Sequence, residues 1–299
     1  MYQPYRMARI SLALALALLV AGCVPGAPAP MRAIDYGYAG RGAAAAPAAP
    51  AAAGAPAPAS GAPAPGARRM VVFLPGRGDR AVTFDGERFI SAAKAAGLDA
   101  DLVAADAGLG YYMRRTIVER LWSDVLAPAV AAGYSEIWLV GISMGGLGAI
   151  TVAREHPGAV AGIVLLAPYL GEREVLDEVA AAGGLARWMP PAAPAPDDFR
   201  SVWKWLRGYV ALPAGPPALW LGYGDVDRYR SAHALLAAAL PRDRVLTTRG
   251  GHDWDAWRAL WKELLARGAL GGAGARAATG ADDDRRGCAA SAAADRAMR

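Results

Sequence analysis

The chain has 299 residues, of which 55% are hydrophobic, and a formal net charge of +5. Between Arg68 and Arg267 the charges nearly balance, with 23 Lys and Arg against 22 Asp and Glu, so the basic excess lies in the two ends. Nucleic-acid-binding proteins carry a basic stripe, often with interleaved aromatic residues, and this sequence has none. We therefore expect no nucleic-acid partner.

The N-terminus is typical of an exported protein. Arg6 and Arg9 precede an apolar run over residues 10–21, which is shorter than the ~20 residues that span a bilayer. Residues 20–23, Val-Ala-Gly-Cys, resemble the bacterial lipobox, in which the cysteine becomes the lipidated first residue of the mature protein. The resemblance implies that residues 1–22 are a lipoprotein signal peptide and that Cys23 is lipidated. An ordinary signal peptide and a short membrane anchor are the alternatives.

The composition divides the rest of the chain. Every residue from Ala43 to Gly66 is Ala, Pro, Gly or Ser, and this predicts an extended Ala/Pro-rich tether over residues 23–67. Residues 269–299 are again small and polar, which predicts a disordered tail that contains Cys288, the only other cysteine. All nine Trp lie within residues 68–268, so one folded domain is expected there.

Short apolar runs alternate with helical patterns along this domain. Continuously apolar strands separated by helices predict a doubly wound α/β fold with a mostly parallel sheet covered on both faces. Residues 172–217 interrupt the alternation with several prolines, and this predicts a small cap over the carboxyl ends of the strands. The predicted strands span residues 70–74, 100–105, 137–140, 160–166, 218–221 and 244–248, and the predicted helices span residues 87–96, 112–132, 145–155, 231–240 and 254–265.

The motif with the clearest chemical meaning is Gly-Ile-Ser-Met-Gly at residues 141–145. It matches G-x-S-x-G and lies between a predicted strand and a predicted helix, where a serine nucleophile is presented on a sharp turn that only glycine neighbours allow. Ser143 is therefore the candidate nucleophile.

A serine nucleophile needs a histidine that takes its proton. The chain has three histidines, of which His156 ends the helix after the motif and His233 lies inside an amphipathic helix. Only His252 lies in a glycine loop between the last strand and the last helix, so it is the candidate base.

The imidazole in turn needs a carboxylate that fixes its tautomer. The loop after the fifth strand offers Asp225 and Asp227, and we favour Asp227 because it lies further past the strand end, while Asp225 could cap the turn. Asp253, next to the histidine, is expected to form a salt bridge or cap the last helix.

The chain order Ser143, Asp227, His252 is the order found in α/β-hydrolases. Together with Gly-His-Asp-Trp at residues 251–254, it resembles the esterase branch of that superfamily, which includes feruloyl, enterochelin and formylglutathione hydrolases. The resemblance covers residues 68–268. It implies an oxyanion hole made by the backbone N–H groups of Met144 and of Arg77, where the chain has Pro-Gly-Arg and the family commonly has His-Gly-x.

These residues predict an envelope-anchored serine hydrolase that cleaves an ester through an acyl-enzyme. The alternatives are an acyltransferase of the same fold and a non-catalytic envelope-binding lipoprotein. No cofactor or metal is expected, because nucleotide-binding glycine motifs and His/Cys clusters at metal spacing are missing. The expected partners are a small-molecule or lipid-like ester and, through Cys23, a membrane. Val24 after the cysteine resembles the pattern sorted to the outer membrane.

Overall fold

The computed structural model describes residues 30–39, 68–195, 198–211 and 217–271. The predicted signal peptide, Cys23, most of the predicted tether and nearly all of the predicted C-terminal tail lie outside the described residues. Among the helices of the described part, none is long and apolar enough to cross a membrane.

Seven strands form one sheet in the order β1-β3-β2-β4-β5-β6-β7. Strands β2 to β7 run parallel to their neighbours, and β1 pairs antiparallel with β3 at the edge. The predicted α/β fold with a mostly parallel sheet is confirmed. The strands are β1 (Ala33–Tyr38), β2 (Arg68–Leu74), β3 (Asp101–Ala105), β4 (Tyr134–Ile142), β5 (Gly162–Leu166), β6 (Ala218–Gly224) and β7 (Val245–Thr248).

Helices cover both faces of the sheet, as continuously apolar strands require. In β2, Val72 and Leu74 pack into one apolar core, while Val71 and Phe73 pack into a second core on the opposite face. The helices are α1 (Thr83–Gly86), α2 (Phe89–Ala96), α3 (Leu109–Met113), α4 (Ile117–Leu121), α5 (Ala127–Ala131), α6 (Met144–Glu155), α7 (Arg173–Ala181), α8 (Phe199–Ala211), α9 (Arg230–Ala237) and α10 (Trp254–Ala266).

The single long helix predicted over residues 112–132 is wrong. The chain forms α3, α4 and α5 there, with a π-helical segment at Trp122–Leu126 between the last two. Arg115 adopts φ 58°, which ends α3, and Pro128 has no N–H to continue the regular hydrogen-bond ladder. Apolar periodicity alone does not reveal these interruptions.

The predicted tether of residues 23–67 is also wrong over residues 30–39, where the chain forms β1. The strand reads Ala-Ile-Asp-Tyr-Gly-Tyr and is mostly exposed, so it shows little of the apolar pattern expected of a strand. The Ala/Pro-rich stretch therefore lies between β1 and β2 rather than between Cys23 and the first strand of the domain.

The folded part extends a little beyond the predicted end at residue 268. Ala269 and Leu270 are buried against the sheet. The guanidinium of Arg69, itself 6% exposed, donates a hydrogen bond of 2.9 Å to the carbonyl oxygen of Gly271 and forms an ion pair with Glu136. This contact fixes the last described residues to the start of β2.

The predicted cap at residues 172–217 contains α7 and α8. Arg200 joins the two helices through ion pairs with Glu174 and Glu178. Trp203 in α8 is fully buried, donates its indole N–H to Leu170 at 2.8 Å and belongs to the same apolar core as the sheet. The insertion is thus packed into the domain.

Candidate active site

In the turn after β4, the backbone at Gly141 and Gly145 lies very close to other backbone segments. A Cβ atom at Gly145 would collide with the carbonyl oxygen of Leu74 in β2, and a Cβ atom at Gly141 would collide with the backbone of Gly145. Both glycines of the motif are required because the first turn of α6 is pressed against the neighbouring strand.

Ser143 stands at the tip of this turn in a strained conformation, with φ 51° and ψ −112°. Such a backbone is costly for a residue with a side chain, by about 1–3 kcal/mol, and persists only where neighbours fix it. The Ser143 N–H donates to Leu166 at 2.9 Å, and its carbonyl accepts from Tyr169 at 2.8 Å and from Gly146 at 3.0 Å. The segment after β5 therefore holds the serine from both sides.

His252 connects Ser143 to a carboxylate. Its Nε2 lies 2.9 Å from Ser143 Oγ, and its Nδ1 lies 2.8 Å from Asp227 Oδ2. An ionised carboxylate only accepts, so Nδ1 carries the proton and Nε2 is left to accept from the serine hydroxyl. The arrangement can move a proton off Ser143.

Asp227 and Asp225 have different partners, although they are two residues apart. Asp227 is 2% exposed and accepts from His252 and from the Tyr229 N–H at 2.7 Å. Asp225 is exposed and accepts from the Gly250 N–H at 3.1 Å, so it fixes the loop that carries His252 without contacting the ring.

Asp253 also serves the loop, because it caps the N-terminus of α10. Its Oδ1 accepts from the Ala256 N–H at 3.0 Å and its Oδ2 accepts from the Gly251 N–H at 3.0 Å. These two bonds hold the residues on both sides of His252.

The Asp227 carboxylate is kept charged despite its burial. Burial raises the pKa of this group, but the hydrogen bonds from His252 and from the Tyr229 N–H outweigh burial and hold the pKa below its usual range. The charged form is the one that stabilises a protonated imidazole.

The loop after β2 lies close to Ser143. A Cβ atom placed on Gly76 would lie 3.6 Å from Ser143 Cβ and 3.3 Å from Asp79 Oδ2. Arg77 follows in this loop, and Met144 is the first residue of α6, so the two predicted oxyanion donors belong to the segments that border Ser143.

A cavity of about 670 Å³ is bordered by Tyr169 and Tyr229, which contact Ser143 and His252. The Tyr169 N–H donates to the Ser143 carbonyl, and the Tyr229 ring packs edge-on against the His252 ring with centroids 5.0 Å apart. Charged side chains of both signs line the remainder. The lining residues are Tyr169, Gly171, Glu172, Arg173, Leu176, Asp177, Ala180, Arg228, Tyr229, Ser231 and Leu235.

Two aromatic rings pack against the imidazole, and for the contact of Tyr229 the sequence gives no signal. The rings of Tyr229 and Trp257 both pack against the His252 ring, with centroids 5.0 and 5.1 Å away and near-perpendicular planes. Trp257 is also buried in the apolar core on one face of the sheet. Its contact with the imidazole depends on how α10 follows the loop in space.

The other two histidines lie away from the hydroxyl. His156 stacks on Trp122 at 3.9 Å just after α6. His233 is fully buried, and its Nε2 lies 2.9 Å from the Pro168 carbonyl oxygen. Burial lowers the pKa of His233 and keeps the ring neutral.

A family model described as Hydrolase_4, serine aminopeptidase S33, matches residues 123–203. The matched segment includes the Ser143 turn and ends before Asp227 and His252. Among curated proteins, none matches the chain.

Several solved structures resemble the chain at low identity. A ferulic acid esterase is 17% identical, with 69% of this chain and 86% of that chain covered and a TM-score of 0.46. The S-formylglutathione hydrolase of Staphylococcus aureus is 15% identical, with 67% and 80% covered and a TM-score of 0.48. A putative non-heme bromoperoxidase of Mycobacterium tuberculosis is 18% identical, with 81% and 97% covered and a TM-score of 0.47.

Proposed function

We propose that this chain, a serine hydrolase with the α/β-hydrolase fold, cleaves a carboxylic ester through Ser143, His252 and Asp227. The observation that carries the proposal is the unbroken series of hydrogen bonds from the serine hydroxyl through the imidazole to a buried carboxylate. Each residue lies in the loop that follows the carboxyl end of a parallel strand, where ligands bind in such sheets.

The proposed reaction begins when His252 Nε2 takes the proton of Ser143 Oγ and the oxygen attacks the ester carbonyl. Asp227 holds the ring with its proton on Nδ1 and stabilises the imidazolium that forms. The imidazolium then protonates the departing alcohol, which leaves an acyl-enzyme on Ser143. Water, activated by the same imidazole, releases the acid and restores the serine.

The negative charge of the tetrahedral intermediate needs N–H donors at hand. We assign this role to the backbone N–H groups of Met144 and Arg77. Met144 begins α6, so its N–H points away from the helix at the positive end of the helix dipole. The assignment of Arg77 is supported by its neighbour Gly76, which lies close to Ser143.

The experiment that tests the function uses p-nitrophenyl esters of increasing acyl length, with the Ser143→Ala variant as the decisive comparison. The variant should lose turnover on the order of 10⁶-fold. Ser135→Ala, at an exposed serine near the start of β4, is the matched control and should retain wild-type rates. Unchanged turnover in Ser143→Ala would overturn the proposal.

Peptide-bond cleavage is the second candidate, because the matching family model is described as a serine aminopeptidase. An aminopeptidase must recognise a substrate ammonium group, and the carboxylates of Glu172 and Asp177 line the cavity beside Tyr169. Aminoacyl p-nitroanilides assayed beside the p-nitrophenyl esters separate the two activities. Faster turnover of the anilides than of the esters would show that the enzyme cleaves an amide bond rather than an ester bond.

We further propose that Cys23 is lipidated and anchors the enzyme in the cell envelope, at the outer membrane. The support is the lipobox-like sequence at residues 20–23 after a short apolar run. Wild-type protein should take up a palmitate analogue and fractionate with membranes, whereas Cys23→Ser should do neither. If the wild-type protein takes up no palmitate analogue and is recovered entirely in the soluble fraction, the leader is an ordinary signal peptide.

A further inference from the structure

The described chain enters the sheet at the edge that carries Ser143. Because β1 is antiparallel, Ala33 at its start pairs with Ala105 at the end of β3, and Tyr38 pairs with Asp101. The carboxyl end of β3 lies at the same edge as that of β4, after which Ser143 follows. The start of β1 therefore lies on the side of the sheet where the parallel strands have their carboxyl ends. We call this side the catalytic edge and the side of their amino ends the opposite edge.

Hydrogen bonds fix this point of entry. Asp106, which follows β3, donates its N–H to the Arg32 carbonyl at 2.8 Å. Its carboxylate accepts from the Arg80 guanidinium at 2.8 and 2.6 Å and from the Ala81 N–H at 3.2 Å. Met31 is buried. The entering chain and the loop after β2 are thus joined through Asp106.

Apolar side chains are exposed around the same edge. Eight large hydrophobic side chains are exposed among the described residues; four of them come within eight residues after the carboxyl end of a strand, and a fifth, Met189, lies in the predicted cap. Val82 comes directly after Ala81, so part of this set adjoins the point of entry. We call the five residues the apolar rim: Val82, Leu109, Met113, Met189 and Val226, which are 61%, 38%, 61%, 75% and 71% exposed.

The distance from the lipid site to this edge is short. Cys23 precedes Pro30 by seven residues, and a fully extended chain spans at most ~3.6 Å per residue, or about 25 Å. The Ala/Pro-rich residues 43–66 add nothing to this reach, because they follow β1 in the chain. A lipidated Cys23 therefore keeps the catalytic edge close to the bilayer.

We propose that the apolar rim docks on the lipid bilayer in which Cys23 is anchored, so that the entrance to Ser143 faces the membrane. The inference rests on the proposed lipid anchor. Membrane binding strengthens with the apolar area that is buried in the bilayer, so apolar side chains beside the anchor add to the contribution of its acyl groups. Exposed apolar side chains in the segments after the strand ends and in the cap provide that area, and they fit the interior of a lipid surface.

The test places single cysteines at Val82 and Met113 in the full-length acylated protein, with Cys288→Ser to remove the other thiol. Each is labelled with an environment-sensitive nitrobenzoxadiazole fluorophore and reconstituted in vesicles of phosphatidylethanolamine and phosphatidylglycerol. The matched control is a cysteine at Val130, which is 46% exposed in α5, near the amino end of β4 on the opposite edge.

Labels at Val82 and Met113 should emit at shorter wavelength in vesicles and be quenched by nitroxide-bearing lipids, whereas the label at Val130 should show neither effect. Equal signals at all three positions would overturn the inference. A blue shift without nitroxide quenching would assign the rim to a second copy of the chain, and a Cys23 without lipid would remove the premise. None of these results depends on ester turnover, which tests the proposed function separately.

Discussion

At the scale of single residues, the site depends on which carboxylate each loop directs inward. Asp225 and Asp227 share one turn, in which the Asp227 N–H bonds the Gly224 carbonyl at 3.2 Å. The turn directs Asp227 to the Nδ1 atom of His252 and leaves Asp225 exposed, where it accepts from the Gly250 N–H. One carboxylate thus contacts the imidazole while the other only supports the loop.

Asp227→Asn should therefore reduce kcat for p-nitrophenyl esters far more than Asp225→Asn does. An amide in place of the Asp227 carboxylate favours the wrong tautomer of His252, and such a change costs roughly 10⁴-fold in related triads. Asp225→Asn keeps an oxygen that accepts from Gly250 and serves as the matched control. A larger loss in Asp225→Asn would assign the acid to the other residue.

His233 makes stability depend on pH. Burial lowers its pKa, so the folded state leaves the ring neutral while the unfolded chain, with a pKa near 6.5, takes up a proton. The unfolded state then binds more protons, and the free energy of unfolding falls as pH drops below about 6.5, by up to ~1.4 kcal/mol per pH unit. The slope of the free energy of unfolding against pH can be measured by urea unfolding of the wild type between pH 5 and 8, at intervals of about half a pH unit.

The His233→Gln variant isolates the contribution of the histidine. Glutamine keeps a donor for Pro168 but cannot take up a proton, so the slope should be smaller by about one proton. At about pH 8 the histidine is neutral in both states, and the difference between variant and wild type there measures packing alone. Identical slopes below pH 6.5 would mean that His233 is protonated in the folded protein.

At the scale of elements, the β4-turn-α6 unit is the part that the sequence predicts best. Its pattern is local, because the glycines that allow the turn stand within two residues of Ser143. By contrast, the region of α3 to α5 shows how Pro128 and the positive φ of Arg115 interrupt a helix whose apolar face continues.

Gly145→Ala should destabilise the domain, because the added methyl group meets the Leu74 carbonyl, a backbone atom that cannot turn aside. Overpacking of this kind costs about 1–3 kcal/mol. Gly208→Ala is the matched control: Gly208 is an exposed helix position in α8 with open space around its Cα. There, alanine should stabilise by up to about 1 kcal/mol. Urea unfolding that ranks the two variants in the opposite order would contradict the close approach of α6 to β2.

At the scale of the whole molecule, the chain enters β1 at one end of the sheet's strands and passes from β1 to β2 at the other end. β1 begins at the catalytic edge and ends at the opposite edge, where Ala39 bonds Ala100 at 2.9 Å and where β2 starts with Arg68. Both strands flank β3, so the two ends are about 10 Å apart at ~4.8 Å per strand spacing.

Deletion of residues 44–63 should therefore leave the fold and the ester turnover intact. The eight residues that remain between Ala39 and Arg68 bridge such a gap easily, and the shorter loop should stabilise the protein by about 1 kcal/mol through its smaller closure entropy. Removal of residues 30–39, which eliminates β1, is the contrasting deletion and should lower the unfolding midpoint. Both are measured by thermal unfolding together with p-nitrophenyl ester turnover. Loss of the fold in the loop deletion would mean that these residues pack against the domain.

The sequence by itself determined the parallel sheet, the turn around Ser143 and the choice of His252. These follow from signals that lie within a few residues, such as apolar runs, helix-ending glycines and a motif whose glycines avoid backbone collisions. Tertiary structure decided the rest. β1 is short and mostly exposed, and it is a strand because β3, more than sixty residues away, offers its free edge. The contacts of Tyr229 and Trp257 with the imidazole likewise depend on how distant loops meet at the carboxyl ends of the strands.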